Sequence, residues 1–234
     1  MFYPSRLGAF GIRPWGRWFK TLACQLGSGT YRLGAHLMTA RWVADTHCFL
    51  KAFRANPKRI GAIAPSSAAL GRAITREITA HTGPVIELGV GTGVFTRALV
   101  KRGVAMQDLA LVEMDPRFAA SLKRDFPQAE HYNIDAAKLD RQTLFAGRQA
   151  GAVVCGLPLL NMPIRQQLGI LRAAFSHVRA GGACYLFTYG FRCPVDRRVV
   201  ACLGLRARKM SVVVGNLPPA HVWKLNRRGG SNRA

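Results

Sequence analysis

The sequence predicts an α/β fold: a seven-stranded, mostly parallel sheet with helices on both faces, preceded by an amphipathic helical extension. Three observations predict it. A short apolar strand, Val85 to Leu88, runs into the turn Gly89-Val90-Gly91-Thr92-Gly93 and then into a helix beginning near Phe95. A second apolar run, Leu109 to Val112, follows at the spacing of a β-α-β unit and ends on Glu113-Met114-Asp115. Strand-like and helix-like segments then alternate as far as Arg179, the pattern of parallel strands joined by crossover helices. At 234 residues there is room for one such domain with a full core, plus an appendage.

Residues 1–44 form a basic extension in which Trp15, Trp18, Phe19 and Leu22 share one helical face, with Arg13, Arg17 and Lys20 around the other. Such a helix suits the headgroup plane of an anionic membrane, and an Arg-rich, acid-free leader also fits an organelle transit peptide. A second amphipathic segment, Arg41 to Arg54, lines up Trp42, Val43, Thr46, Phe49, Leu50 and Phe53, either to cover the sheet or to meet lipid as a lid. The main domain is placed at 45–228. Within it Ser66 or Ser67 caps a helix reaching Ala80, with Ala69, Leu70 and Ala73 inward. Tyr132 to Ala136 reads as a third strand, and Gly151 to Cys155 as a fourth that leaves the sheet through Gly156-Leu157-Pro158-Leu159-Leu160-Asn161. A helix from about Ile164 to Arg179 stops at Gly181-Gly182, and Ala183 to Tyr189 re-enters the sheet. Met210 to Val214 and His221 to Leu225 read as a closing antiparallel pair, and 229–234 as a disordered tail.

The glycine turn carries the first functional expectation. Glycines let the backbone approach a ligand that any Cβ would repel, and the following helix presents free N–H groups. Gly89, Gly91, Thr92 and Gly93 are therefore cofactor-binding candidates. The spacing is E-x-G-x-G-x-G, unlike the G-x-G-x-x-G of dinucleotide loops, and Glu87 at the strand end repels a pyrophosphate. It suits a cationic, amino-bearing ligand such as S-adenosylmethionine, which carries an ammonium and a sulfonium. Glu113, at the tip of the neighbouring strand, is placed for the ribose hydroxyls of such a ligand. Met114 is placed to pack on its adenine face, and Asp135, followed by Ala136, to accept from the adenine amino group.

Three acids after three successive strands, behind this glycine loop, resemble the class I S-adenosylmethionine-dependent methyltransferases from about Gly83 to about Tyr189. The resemblance implies a Rossmann-like sheet, S-adenosylmethionine as donor and S-adenosylhomocysteine as product. It also implies that the fourth strand ends beside the methyl group, so that Gly156 adjoins the cofactor and Leu157 and Pro158 the acceptor. Amino methylases acting on adenine in nucleic acid have Asn or Asp there, then two residues, then a stacking aromatic. This chain has Gly156-Leu157-Pro158-Leu159, which would hold a flipped base poorly.

The stretches Phe49 to Pro57, Gly61 to Ser67, Gly156 to Leu160, Phe187 to Gly190 and Asn216 to Ala220 resemble the bacterial phospholipid N-methyltransferases, relatives of the rRNA adenine dimethylase group. That likeness spans roughly Asp45 to Arg228, with Val90 standing where such loops commonly have proline. It implies methylation of phosphatidylethanolamine and its mono- and dimethyl forms towards phosphatidylcholine, with rRNA adenine or an ornithine lipid as alternative acceptors. On this reading Tyr189 is the catalytic candidate, orienting the amine or the headgroup phosphate. Lys51, Arg54 and Arg227 hold the phosphodiester, and Phe49 with Tyr189 walls a quaternary ammonium.

Charge agrees with a phosphate-rich partner. Lys and Arg number 34 against 11 Asp and Glu, a formal charge of +23, and every acid lies between Asp45 and Asp196. Such a field attracts either nucleic acid or anionic lipid; the amphipathic aromatics favour an anionic membrane surface and a phospholipid substrate. The six cysteines include no C-x-x-C pair and read as reduced thiols; the histidines are scattered, so no metal site is expected. With no apolar run of spanning length, a monomeric protein is expected in the cytoplasm, peripheral to the inner face of the plasma membrane.

Overall fold

The computed structural model describes residues 68–214 and 219–228. The expected 1–44 extension, the segment from Arg41 to Arg54, the domain start at 45 and the 229–234 tail lie outside these residues.

Strands β1 (Val85–Leu88) and β2 (Leu109–Val112) are buried along their whole length, as uninterrupted aliphatic runs are when a parallel sheet is covered on both faces. With β3 (Glu130–Tyr132), β4 (Ala150–Cys155), β5 (Val178–Thr188), β6 (Leu205–Val213) and β7 (Ala220–Arg227) they form a seven-stranded sheet in the order β3-β2-β1-β4-β5-β7-β6. The first five strands are parallel; β7 is antiparallel to both β5 and β6, so β6 points the same way as β5. Strand order reverses between β1 and β4, and a cleft for a ligand opens at the carboxyl ends of strands at such a reversal.

Among the described residues five α-helices flank the sheet: α1 (Ala68–Ile74), α2 (Val94–Lys101), α3 (Pro116–Asp125), α4 (Ile164–Ser176) and α5 (Arg197–Cys202). Leu70, Ile74, Phe95, Leu99 and Leu122 pack on one face against Val85, Leu111, Val154 and Val222. Ile170, Leu171, Phe175 and Val199 pack on the other against Ile86, Val112, Val153 and Leu186. The alternation of residues 85 and 86 between the two cores is the two-residue strand period at work.

Element ends differ from expectation where side chains compete for the backbone. The first helix stops at Ile74 rather than Ala80: the Thr75 N–H and hydroxyl share the Gly71 carbonyl, Arg76 and Ile78 N–H then turn to the carbonyls three residues back, of Ala73 and Thr75, and Thr79 caps a separate single turn, Ala80–Thr82. The third strand ends at Tyr132, and Asp135, expected at a strand end, instead caps the 3-10 segment Ala136–Arg141. α4 ends at Ser176, and β5 begins at Val178, where the sequence pattern continues a helix to Arg179. Helix α5 was not anticipated. Its start is a local capping signal: the Asp196 carboxylate accepts from the Arg198 N–H at 2.8 Å.

Candidate active site

The carboxyl ends of β1, β2 and β4 are tied together through backbone. Gly89 N–H donates to the Val112 carbonyl and Gly156 N–H to the Leu88 carbonyl, both at 2.8 Å. A Cβ on Gly156 would stand 2.7 Å from the Gly89 carbonyl oxygen, so the fourth strand can close on the loop only without a side chain. Gly91 is different: with φ of +57° it has nothing within 4 Å of where its Cβ would be, so the loop presents bare backbone to open space. The glycine spacing leads us to expect a cofactor at this open space.

Glu87 lies beneath the loop, wholly buried. Its Oε2 accepts from the Thr96 hydroxyl at 2.7 Å, and its Oε1 has no hydrogen-bond partner. Burial pushes its pKa up to about 8, against the opposing pull of the Thr96 bond. A buried carboxylate oxygen with no donor is what a ligand ammonium would complete.

Glu113, also buried, braces the cradle. Its Oε2 accepts from Gly91 N–H and its Oε1 from Asp115 N–H, each at 2.9 Å. The expected ribose ligand is therefore also the strut that positions the glycine loop. Asn133, which sequence reasoning passed over, donates through Nδ2 to the carbonyls of Glu113 (2.7 Å) and Met114 (3.0 Å), fixing the tip of β2. Thr96 was missed in the same way; only contact with a buried acid distinguishes it from any helical threonine. Met114, expected to pack on the adenine, is 64% exposed beside Glu113. Asp135 gives one oxygen to Ala137 N–H at 2.9 Å, so it serves first as a cap, with Ala136 buried beside it. Thr92 is exposed on the loop, and its carbonyl accepts from the Arg97 guanidinium at 2.7 Å.

The residues expected to face the acceptor follow β4 and β5. Leu157 folds over Gly89, where an added Cβ would meet its Cδ2 at 2.5 Å, and Pro158 leads into the turn Leu159–Asn161. This wall is apolar. Tyr189 closes β5, edge-on to Phe187 at 5.6 Å, and Phe187 stands edge-on to Phe95 at 5.7 Å. Gln167, buried in α4, holds the acceptor loops together: its Nε2 donates to the carbonyls of Leu159 (2.9 Å) and Met162 (3.0 Å), and its Oε1 accepts from Asp196 N–H at 2.9 Å. Nothing in its helical sequence context signalled that role. His221, opposite Thr188 in the sheet, is buried with Nδ1 unpartnered; burial and then the Lys209 charge hold its pKa below the usual value.

Arg227 departs from expectation. Its guanidinium donates to the carbonyls of Phe175 (2.6 Å) and Val178 (3.2 Å), at the end where β5 begins. Antiparallel β7 carries it to the edge opposite Tyr189, so it caps α4 and does not reach the acceptor. Phe49, Lys51 and Arg54 lie outside the described residues.

No protein-family model matches the chain. The ornithine lipid N-methyltransferase of Singulisphaera acidiphila is 32% identical over 133 residues, which cover 55% of this chain and 69% of that enzyme. The chain belongs to that enzyme's family, within the S-adenosylmethionine-dependent methyltransferases. Ribosomal RNA small subunit methyltransferase A of Methylococcus capsulatus is 34% identical over 93 residues; the match takes in 36% of this chain and only 35% of that protein. Among solved structures, the DhpI complex with S-adenosylhomocysteine shares the fold, with a TM-score of 0.56 and 19% identity over 77% of this chain and 96% of that one. For a methyltransferase of this family the residues present fit the cofactor: an open glycine cradle, an undersatisfied buried carboxylate, a second acid at the β2 tip and an exposed methionine beside it.

Gln167→Leu tests the acceptor scaffold separately from the cofactor scaffold. It leaves buried backbone groups of Leu159, Met162 and Asp196 without their partners, so a loss of about 2–4 kcal/mol is expected in denaturant unfolding. In steady-state kinetics the acceptor KM should rise about tenfold while S-adenosylmethionine affinity stays within about twofold. Equal losses in both would place Gln167 in the general core instead.

Proposed function

We propose that this methyltransferase transfers methyl groups to the amine of a membrane amino lipid, an ornithine lipid or phosphatidylethanolamine. The observation that carries the reading is the division of the site. Acids and bare glycine backbone form the cofactor half, and an apolar wall ending in an aromatic tier forms the acceptor half. A nucleobase acceptor wants a polar head and a stacking ring next to Gly156, where this chain places Leu157 packed on Gly89. The 32% identical relative named for ornithine lipid supports the amino-lipid class.

Bound S-adenosylmethionine supplies an electrophilic methyl at a sulfonium. The protein's part is to hold a neutral amine in line with it and to exclude water. A primary amine titrates near 10 in water, so it arrives as ammonium and must lose a proton before it can attack. The Leu157–Pro158 wall desolvates the headgroup and favours the uncharged form. Tyr189, braced by Phe187, presents a hydroxyl to orient the amine or its phosphate, and its ring offers a face to methylated, cationic products.

The test is transfer of radiolabelled methyl to vesicles containing ornithine lipid, to vesicles containing phosphatidylethanolamine, and to unmodified ribosomal RNA. Label in a lipid fraction is expected, and chromatography of the products counts the methyls. Label confined to RNA would end the amino-lipid reading. Tyr189→Phe keeps the ring and removes the hydroxyl; kcat/KM for the lipid should fall about tenfold, the worth of one hydrogen bond in the transition state, with cofactor affinity unchanged.

A further inference from the structure

Among the described residues the exposed large apolar side chains are Met114, Leu160, Phe191, Val212 and Val214, between 43% and 77% exposed. Scattered singly, such residues need no explanation. These are not scattered. Met114 follows β2, Leu160 follows β4, Phe191 follows β5, and Val212 and Val214 lie where β6 ends. Because β6 is parallel to β5, all five stand at the one sheet edge that carries the site. Met114 belongs to the cofactor half; the other four ring the acceptor half.

The charges of that edge are equally one-sided. Its acids are engaged: Asp115 with Arg117 at 2.8 Å, Asp196 with Arg198 at 3.1 Å, Asp135 with the Ala137 amide, and Glu113 with two backbone amides. Arg165 at the start of α4 and Arg192 beside Phe191 are exposed and joined to no carboxylate among the described residues. Apolar side chains interleaved with uncommitted guanidinium groups complement the boundary of an anionic bilayer, where acyl chains lie just below phosphates.

We infer that this rim is the face the enzyme seats on an anionic lipid bilayer. Leu160, Phe191, Val212 and Val214 enter the acyl boundary, Arg165 and Arg192 meet lipid phosphate, and the acceptor cleft opens directly onto headgroups. The inference rests on the amino-lipid reading for why the cleft should face a bilayer, but it is tested independently of turnover.

The experiment is hydrogen exchange on the full chain with phosphatidylcholine vesicles, with and without phosphatidylglycerol. It is paired with vesicle sedimentation of the wild type and of the L160S/F191S variant. Expected is slowing of amide exchange by about tenfold or more in 158–162 and 189–194 on anionic vesicles only. The variant should partition at least about tenfold more weakly, since two large apolar side chains no longer enter the lipid. Its transfer to dihexanoyl phosphatidylethanolamine dispersed as monomers should remain at wild-type rate, which shows that the site is intact. Unprotected rim amides overturn the inference even where the chain sediments, because the basic extension would then be the anchor. Rim protection that appears without vesicles as concentration rises overturns it in favour of a second copy of the chain. If the rim is protected on anionic vesicles yet no amino lipid accepts methyl, the surface stands and the acceptor reading falls.

Discussion

Replacing Glu113 with Ala lowers S-adenosylmethionine affinity by about a hundredfold in calorimetric titration, while the fold persists. The variant removes one carboxylate that accepts from Gly91 and Asp115 amides, both at 2.9 Å. A hydrogen bond to a charged group contributes about 1.5–3 kcal/mol, and losing the strut also frees the loop that must be preorganised around the ligand. Glu113→Gln should fall between, because one amide oxygen still accepts but its NH₂ faces a backbone N–H. A loss of affinity in Glu113→Ala no greater than in a surface variant such as Lys123→Ala would mean that the loop holds its shape unaided.

The second large effect is a pH dependence with opposite signs for stability and for binding. Burial raises Glu87 to about 8, so the folded protein without cofactor keeps its proton where the unfolded chain, titrating near the ordinary carboxylate value, has lost it. The stabilising term is therefore fully present below the unfolded pKa. It is lost as pH rises towards about 8, amounting to a few kcal/mol across that window. Binding runs the other way. An ammonium needs the ionised carboxylate, so affinity for S-adenosylmethionine should rise up to about tenfold per pH unit from 6 towards 8. The rise ends there, as the ligand's own α-amino group begins to lose its proton. At pH 6.5 binding should release about one proton, read by calorimetry in buffers of different ionisation enthalpy. Glu87→Gln should abolish the release, flatten both profiles and raise the stability of the cofactor-free protein at neutral pH. Proton release that survives in Glu87→Gln would assign the titration elsewhere.

The parallel half of the sheet was legible in the chain because its signals are local. Val85–Leu88 and Leu109–Val112 are uninterrupted aliphatic runs bounded by turns, and the structure returns them with those limits. The three glycines and the acids at 87, 113 and 135 stand out as candidates by their spacing and by their place after successive strands. Less legible was anything decided by contact. Asp135 caps a 3-10 turn because its carboxylate finds the Ala137 amide sooner than the strand finds another pairing residue. Thr96, Asn133 and Gln167 have ordinary neighbours in sequence, and only the approach of segments 9, 20 and 29 residues away gives each its partners.

Arg227 marks the boundary most sharply. By charge and sequence position it belonged with the phosphate-holding residues, but strand direction sends β7 away from the cleft and leaves its guanidinium on the carbonyls of Phe175 and Val178. What the sequence by itself determined was therefore the strand-loop-helix grammar, the cofactor class and the surplus of positive charge, since hydrophobic period, glycine spacing and composition are properties of contiguous chain. What only the tertiary structure decided was which side chains share an edge. It placed Leu160, Phe191 and Val214 at one sheet edge and tied Glu113 to Gly91. Sheet order and strand polarity, set by packing across the whole domain, fix those neighbours.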